Sequence, residues 1–351
     1  MGEKLFKVSY DDFNRLVEKL LTEYRVIAPV AGNGKPFFAE ISSPGEVFLK
    51  YKGHVLIPPK RFFFPEKETL FKYFLDGDKV EIHDELEKVK KSKNIILGLR
   101  PCDLKGILFL DKVFTKKYKD PYYLARRENT VIVALTCNEP EEYCFCVFTG
   151  SGPYFKEGAD LLLTDLGDGF LVEVVSEKGS EIVKFNSDLF KKAGEDAESR
   201  RKSILRKVRE EIERQRLPDF EKVHSVLREE FSNPVWETYG NICLSCGKCN
   251  FVCPTCHCFN VYDEPGLDLK TGERVRVWDS CHYLTFTKVA SGEIFRKERP
   301  SRLKQRIYHK LLYTVDEFGV ISCVGCGRCI EVCSAGIDIR KVVMDVTGGG
   351  R

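Results

Sequence analysis

The sequence predicts an α+β chain of two domains, an N-terminal α/β domain followed by an α-helical, cysteine-rich one. Three observations predict it. Two short runs, Asn94–Leu99 and Thr130–Leu135, are continuously apolar and β-branched, as strands buried on both faces are. From about Ser187 the chain turns charged and helically periodic. The 15 cysteines among 351 residues are clustered, eight of them in two copies of one spacing.

Composition narrows the function classes. At 43% hydrophobic and 31% charged the chain can build a core, and a net charge of +3 argues against a strongly basic nucleic-acid binder. No run of about 18 apolar residues exists, so no membrane span is expected. Met1–Phe6 lacks the apolar stretch of a signal peptide, and the expected location is cytoplasmic. Only 2 Met, with a Lys/Glu-rich surface, point to a thermophilic source. Intracellular disulfides occur there, which keeps that alternative open for the cysteines.

The elements follow in order. Ser9 caps an amphipathic helix that places Phe13, Leu16, Val17, Leu20, Leu21 and Tyr24 on one face. Arg25–Val30, Glu46–Tyr51 and Lys52–Ile57 read as strands. The aromatic stretch Lys60–Phe64, bracketed by prolines, reads as core or interface. Asn94–Leu99, the helical segment Asp103–Phe114 and Thr130–Leu135 form a βαβ crossover. Asp160–Asp165 and Phe170–Val175 are strands joined by the turn Gly167-Asp168-Gly169. Two apolar stripes follow, Leu205/Val208/Ile212 and Phe220/Val223/Leu227/Phe231. The expected division is 1–190 for the α/β domain, 191–240 for a helical bridge, 241–345 for the cysteine-rich domain with an insert at 254–322, and 346–351 for a tail.

Cys243, Cys246, Cys249 and Cys253 have the spacing C-x2-C-x2-C-x3-C, with Pro254 following; Cys323, Cys326, Cys329 and Cys333 repeat it, followed by Ser334. This is the bacterial ferredoxin run. Three thiolates on a short loop wrap one [4Fe–4S] cube, Gly247 and Gly327 permit close backbone approach, and the fourth cysteine serves the other cube. One cluster is therefore expected on Cys243, Cys246, Cys249 and Cys333, and a second on Cys323, Cys326, Cys329 and Cys253. Structural zinc is the alternative, and it normally uses two separated pairs. The long insert, with helices expected at His282–Ala290 and Arg302–Tyr313, favours an α-helical ferredoxin-like dicluster domain.

Seven cysteines remain. Cys102 and Cys137 each follow one of the buried strands; if those strands are parallel neighbours both thiols emerge at the same carboxyl edge of the sheet, and Cys144 and Cys146 lie close behind. The four suggest a third [4Fe–4S] cluster; inert buried thiols, a disulfide or zinc are the alternatives. Cys256, Cys258 and Cys281 with His282 offer a mixed sulfur–nitrogen zinc site, donors near the clusters, or plain structural packing. Gly32–Lys35 lacks the length of a P-loop, and no flavin or nucleotide site is found. His54, His83, His224 and His309 read as ordinary surface or core histidines, and Lys248 and Arg328 by default as solvated charges, with tuning of a cluster potential or docking of an acidic partner as the alternative.

The combination of Gly98-Leu-Arg-Pro-Cys102-Asp103, Cys144-Phe-Cys146, Cys253-Pro-Thr-Cys256-His-Cys258-Phe, Trp278-Asp-Ser-Cys281 and the two ferredoxin runs resembles the β subunits of cytosolic NiFe sulfhydrogenases from hyperthermophilic archaea. It is also similar to the electron-transfer subunit of anaerobic sulfite reductase. The resemblance implies an electron-transfer role with no catalytic residues of the chain's own. Its implied partners are a flavin subunit that exchanges electrons with NAD(P)H and the large and small NiFe hydrogenase subunits, or sirohaem sulfite reductase subunits in the second case. Two other readings remain, a self-contained Fe–S enzyme with a substrate site in the N-terminal domain and an Fe–S module with a structural or regulatory role.

Overall fold

The computed structural model describes residues 5–348. The expected tail boundary at 346 moves, because the last helix runs Ile339–Thr347 and ends on left-handed Gly348; the rest of the tail lies outside the described residues.

The first half begins with β1 (Leu5–Val8), α1 (Tyr10–Leu21), β2 (Arg25–Val30) and β3 (Phe37–Glu40). Ser9 caps α1, its side chain accepting from Asp12 N, and Phe13, Leu16, Val17 and Leu20 are buried. A hairpin follows, β4 (Lys67–Asp76) and β5 (Lys79–Asp84), then α2 (Leu86–Lys91), β6 (Asn94–Leu99), α3 (Pro101–Thr115), α4 (Pro121–Glu128) and β7 (Thr130–Leu135). β8 (Leu161–Asp165), β9 (Phe170–Val174), α5 (Glu177–Phe185), β10 (Lys191–Lys192) and α6 (Glu195–Glu213) complete it.

Among the described residues, eight strands form one sheet in the order β10-β1-β9-β8-β7-β6-β2-β3. Its centre is parallel, β2 with β6, β6 with β7 and β7 with β8. Both faces are covered, which explains the unbroken apolar runs. Ile95, Leu97, Val131 and Val133 pack beneath α1 and α5, while Ile96, Ile132 and Ala134 pack against Leu104, Ile107, Leu110 and Phe114 of α3.

Three expectations are corrected. Glu46–Tyr51 and Lys52–Ile57 are not strands; the chain there is a short 3-10 turn, Pro44–Glu46, followed by irregular backbone whose bonds go to neighbouring loops, such as Phe48 N to Pro29 O and Gly53 N to Glu139 O. His282–Ala290 is not helical apart from the turn Leu284–Thr287. The first part of the insert instead carries a hairpin, β11 (Phe259–Pro265) and β12 (Thr271–Trp278), where no strand is expected from the sequence.

That hairpin changes the domain picture. β12 pairs antiparallel with β4, giving a four-stranded sheet in the order β11-β12-β4-β5. A segment of the expected second domain therefore completes a sheet begun in the first. Arg276 on β12 is buried and forms ion pairs with Glu68 of β4 and Asp120 before α4. The second apolar core gathers Phe220, Val223, Leu227 and Trp236 with Tyr308, Leu311, Ile339 and Val343. From the two stripes ahead of the cysteine runs, Val208 and Ile212 pack on Cys146, while Phe231 is half exposed.

Candidate metal centres

Each ferredoxin run is a loop that turns through a left-handed glycine into a one-turn helix. Gly247 (φ 76°) precedes Lys248–Phe251 and Gly327 (φ 77°) precedes Arg328–Glu331. Cys243, Cys246 and Cys249 of the first run line one cavity, and Cys329 and Cys333 of the second run line the same cavity. Backbone N–H groups point at these sulfurs, Ser245 N at Cys243 Sγ (3.4 Å) and Ile337 N at Cys333 Sγ (3.2 Å). His282 lines this cavity too, with Nδ1 4.0 Å from Cys243 Sγ and a buried Nε2 that has no partner.

The other four thiols of the runs act on one another electrostatically. Burial and neighbouring Cys329 push Cys323 up to about 12, and Cys326, buried beside Cys253 and Cys329 but eased by Arg328, rises to about 11. Cys253 goes the other way, to about 7, because Lys310, with Arg306 and Lys60, outweighs its burial. These cations are not anticipated from the sequence. Lys60, Lys310 and Arg306 are each 5% exposed or less, and among the described residues none has a carboxylate within 4 Å. Lys60 donates to Cys256 O (2.7 Å), Lys310 to Thr255 Oγ1 (3.0 Å) and Arg306 to Asn250 Oδ1 (3.0 Å). Burying three unpaired cations is costly, so the thiolates around them are the counter-charge.

The four N-terminal thiols also come together. Cys102 opens α3 just after β6, Cys137 follows β7, and with Cys144 and Cys146 they line one cavity together with His54, Arg100 and Cys326 of the second run. Burial pushes Cys102, Cys144 and Cys146 well above the ordinary thiol value, so they stay protonated until a cation replaces the proton. Arg100 donates to Thr136 O (2.5 Å) and Tyr51 O (2.7 Å), while its Nε has no partner. His54, expected to be an ordinary histidine, is buried with Nδ1 3.9 Å from Cys144 Sγ.

The second run sits directly on this loop. Phe145 N donates to Gly325 O (2.7 Å) and Ser151 Oγ to Val324 O (2.8 Å). A Cβ on Gly325 would lie 2.5 Å from Cys146 Cα, and one on Gly327 would lie 2.4 Å from Tyr143 O. Arg328 is corrected from a solvated charge to a fully buried one. It pairs with Asp103 (2.8 Å), donates to Val55 O (2.7 Å) and approaches Cys102 Sγ at 3.9 Å. The sequence signal was available, since Asp103 directly follows Cys102, but nothing in it linked residues 225 positions apart.

Cys256, Cys258 and Cys281 meet one another, the thiol of Cys258 interacting with both of the others. His282 also lines the first cavity, its Nδ1 4.0 Å from Cys243 Sγ, and Cys256 acts on it electrostatically from the trio. Lys248 is exposed and bonds Ser334 Oγ (2.9 Å).

Among the described residues no group of three or more His, Cys, Asp or Glu is arranged to hold a single metal ion. A [4Fe–4S] cube has different needs, because each thiolate meets its own iron. The residues fit such a group. Five thiols line each of two cavities, Cys329 beside the first four and Cys326 beside the second four, glycines let the backbone approach, and the unpartnered Arg100 Nε is a donor that lacks an acceptor.

Residues 242–337, which contain both runs, match the family model of the 4Fe-4S dicluster domain. The chain is 37% identical over 343 residues to sulfhydrogenase 2 subunit beta of Pyrococcus furiosus, covering 96% of this chain and 95% of that protein. No helix among the described residues is long and apolar enough to cross a membrane.

Proposed function

Because the chain belongs to the family of sulfhydrogenase β subunits, we propose that it passes electrons between a flavin subunit that reacts with NAD(P)H and the large and small subunits of a NiFe hydrogenase. The observation that carries this is one cavity lined by Cys243, Cys246 and Cys249 of the first run and by Cys329 and Cys333 of the second, from which a set crossed between the runs, Cys243, Cys246, Cys249 and Cys333, is drawn. Cys323, Cys326, Cys329 and Cys253 would hold the second [4Fe–4S] group, and Cys102, Cys137, Cys144 and Cys146 a third. When bound, such groups supply one-electron chemistry at a potential the surroundings tune.

The chain's own residues do the rest. Ser245 N and Ile337 N donate to ligand sulfur, and Lys310, Lys60 and Arg306 offset its negative charge. The packing of Gly325 on Cys146 joins the N-terminal thiols to the second run without intervening solvent. At the far end Cys246 is exposed, with Leu244 58% and Ile242 50% exposed beside it, and this edge we assign to one partner. No acid–base pair or nucleophile of an independent catalyst is required in this arrangement.

The test is iron and acid-labile sulfide in this chain purified anaerobically, since the NiFe partner brings iron of its own. About twelve irons per chain are expected, and Cys146→Ala should lose about four; about eight, unchanged by Cys146→Ala, would remove the third group. Hydrogen-dependent NAD(P)+ reduction should vanish in Cys326→Ala, while dye reduction by the hydrogenase subunits persists.

A further inference from the structure

Three cysteines lie outside the proposed ligand sets, and we infer that they form a thiol–disulfide exchange site for low-molecular-weight disulfides. This rests on the assignment of the other twelve as cluster ligands. The three meet where the β11–β12 ladder ends. Phe259 pairs with Trp278 and Asp279 N donates to Cys258 O at 2.9 Å, so the hairpin base holds Cys258 beside the segment that carries Cys281. The Cys258 thiol contacts those of both Cys256 and Cys281, and all three are free thiols.

Their exposures differ in a useful way. Cys256 and Cys258 are half-buried, whereas Cys281 is 8% exposed and receives a hydrogen bond from Asn250 Nδ2 at 3.2 Å. An accessible thiol that attacks and a buried one that resolves are the two parts exchange requires. Two buried cations flank the Cys256 end of the trio, Lys60 donating to the Cys256 carbonyl (2.7 Å) and Lys310 to Thr255 Oγ1 (3.0 Å).

The reaction balances with a disulfide RSSR as oxidant. Cys258, passing its proton to the Cys256 sulfur it contacts, attacks one sulfur of RSSR, forming a Cys258–S–S–R bond and releasing RS−. The Cys281 thiolate then attacks Cys258 Sγ, forming the Cys258–Cys281 bond and expelling the second RS−. Two protein thiols are oxidised, one disulfide is reduced to two thiols, and the two protons pass to the released thiolates. Cys256, touching Cys258, can reopen the bond by internal exchange.

The test uses the anaerobic heteromeric complex and glutathione disulfide as the probe, followed by alkylation, peptide mass mapping and iron analysis. Alkylation of Cys258 and Cys281 should fall about tenfold, with a linked peptide that dithiothreitol reverses and with iron unchanged. Cys281→Ser should stop at a glutathione adduct on Cys258, and Cys256→Ser should still form the Cys258–Cys281 link. Unchanged alkylation of Cys258 overturns the proposal. So does loss of iron, or of equimolar zinc, in Cys281→Ser, which would make the trio metal ligands. Untreated complex that keeps all its iron when Cys326 is replaced by Ala would instead defeat the cluster assignment, a separate reading of the same preparation.

Discussion

Replacing Arg328 by methionine removes a guanidinium that is fully buried and leaves Asp103, 1% exposed, without its partner. Two contacts to that carboxylate, at 2.8 and 3.0 Å, and one to Val55 O at 2.7 Å are lost together. Breaking a buried pair from one side costs about 3–5 kcal/mol, because the surviving charge is stranded in a low dielectric. At ~2 °C per kcal/mol for a chain of this size, the melting temperature falls by roughly 6–10 °C. Removing both charges, as in Arg328→Met with Asp103→Leu, should recover most of that loss, since neither charge is then stranded. Anaerobic thermal unfolding followed by circular dichroism measures all three variants in a double-mutant cycle. A single variant costing less than about 1 kcal/mol, or a double variant equal to the sum of the singles, would refute the pairing as the source of the stability.

Other outcomes follow from the same contacts. Gly325→Ala places a Cβ 2.5 Å from backbone at Cys146 and adds strain at φ 63°, so the second run must lift from the N-terminal loop; iron analysis should show about four irons lost. Lys310→Met removes a buried positive charge that favours the more negative reduced state, so a midpoint potential followed by electron paramagnetic resonance should fall by roughly 40–90 mV, for about 1–2 kcal/mol of lost attraction. A rise would contradict it. Glu173 is pushed up by burial, but Lys156, Tyr154 and Arg201 outweigh that and hold it below its ordinary 4.5. A depressed acid stabilises the fold above its unfolded value and loses that contribution as pH falls through the lower folded value. Glu173→Gln should therefore cost about 2–3 kcal/mol at neutral pH in urea unfolding, with the difference shrinking below pH 4.5.

Local periodicity was enough for the core of the first half. β2, β6 and β7 have the expected limits, since runs buried on both faces are apolar without interruption. The eight cysteines of the duplicated spacing were legible for a similar reason, as their chemistry is written within about a dozen residues. The failures are non-local. β4 and β12 are mixed polar strands whose partners are distant in sequence, and Arg276 sits inside only because Glu68, 208 positions away, meets it. Arg328 looked like a surface charge because charged residues usually are, and its burial depends on Asp103 and Val55 arriving from the other half. Lys60 was hidden among phenylalanines that suggested packing alone, and its role is set by Cys256 and Trp278.

The strand exchange between the two halves has a bearing on biogenesis. During synthesis β4 and β5 emerge from the ribosome with one edge of β4 open, and the strand that covers it is still some two hundred codons away. An open edge invites pairing with another nascent chain, so this interval is the one in which a chaperone would matter. A chain truncated before residue 271 would keep that edge uncovered. Insoluble expression of the N-terminal half alone, relieved by co-expressing the remainder, is the behaviour such an ordering entails.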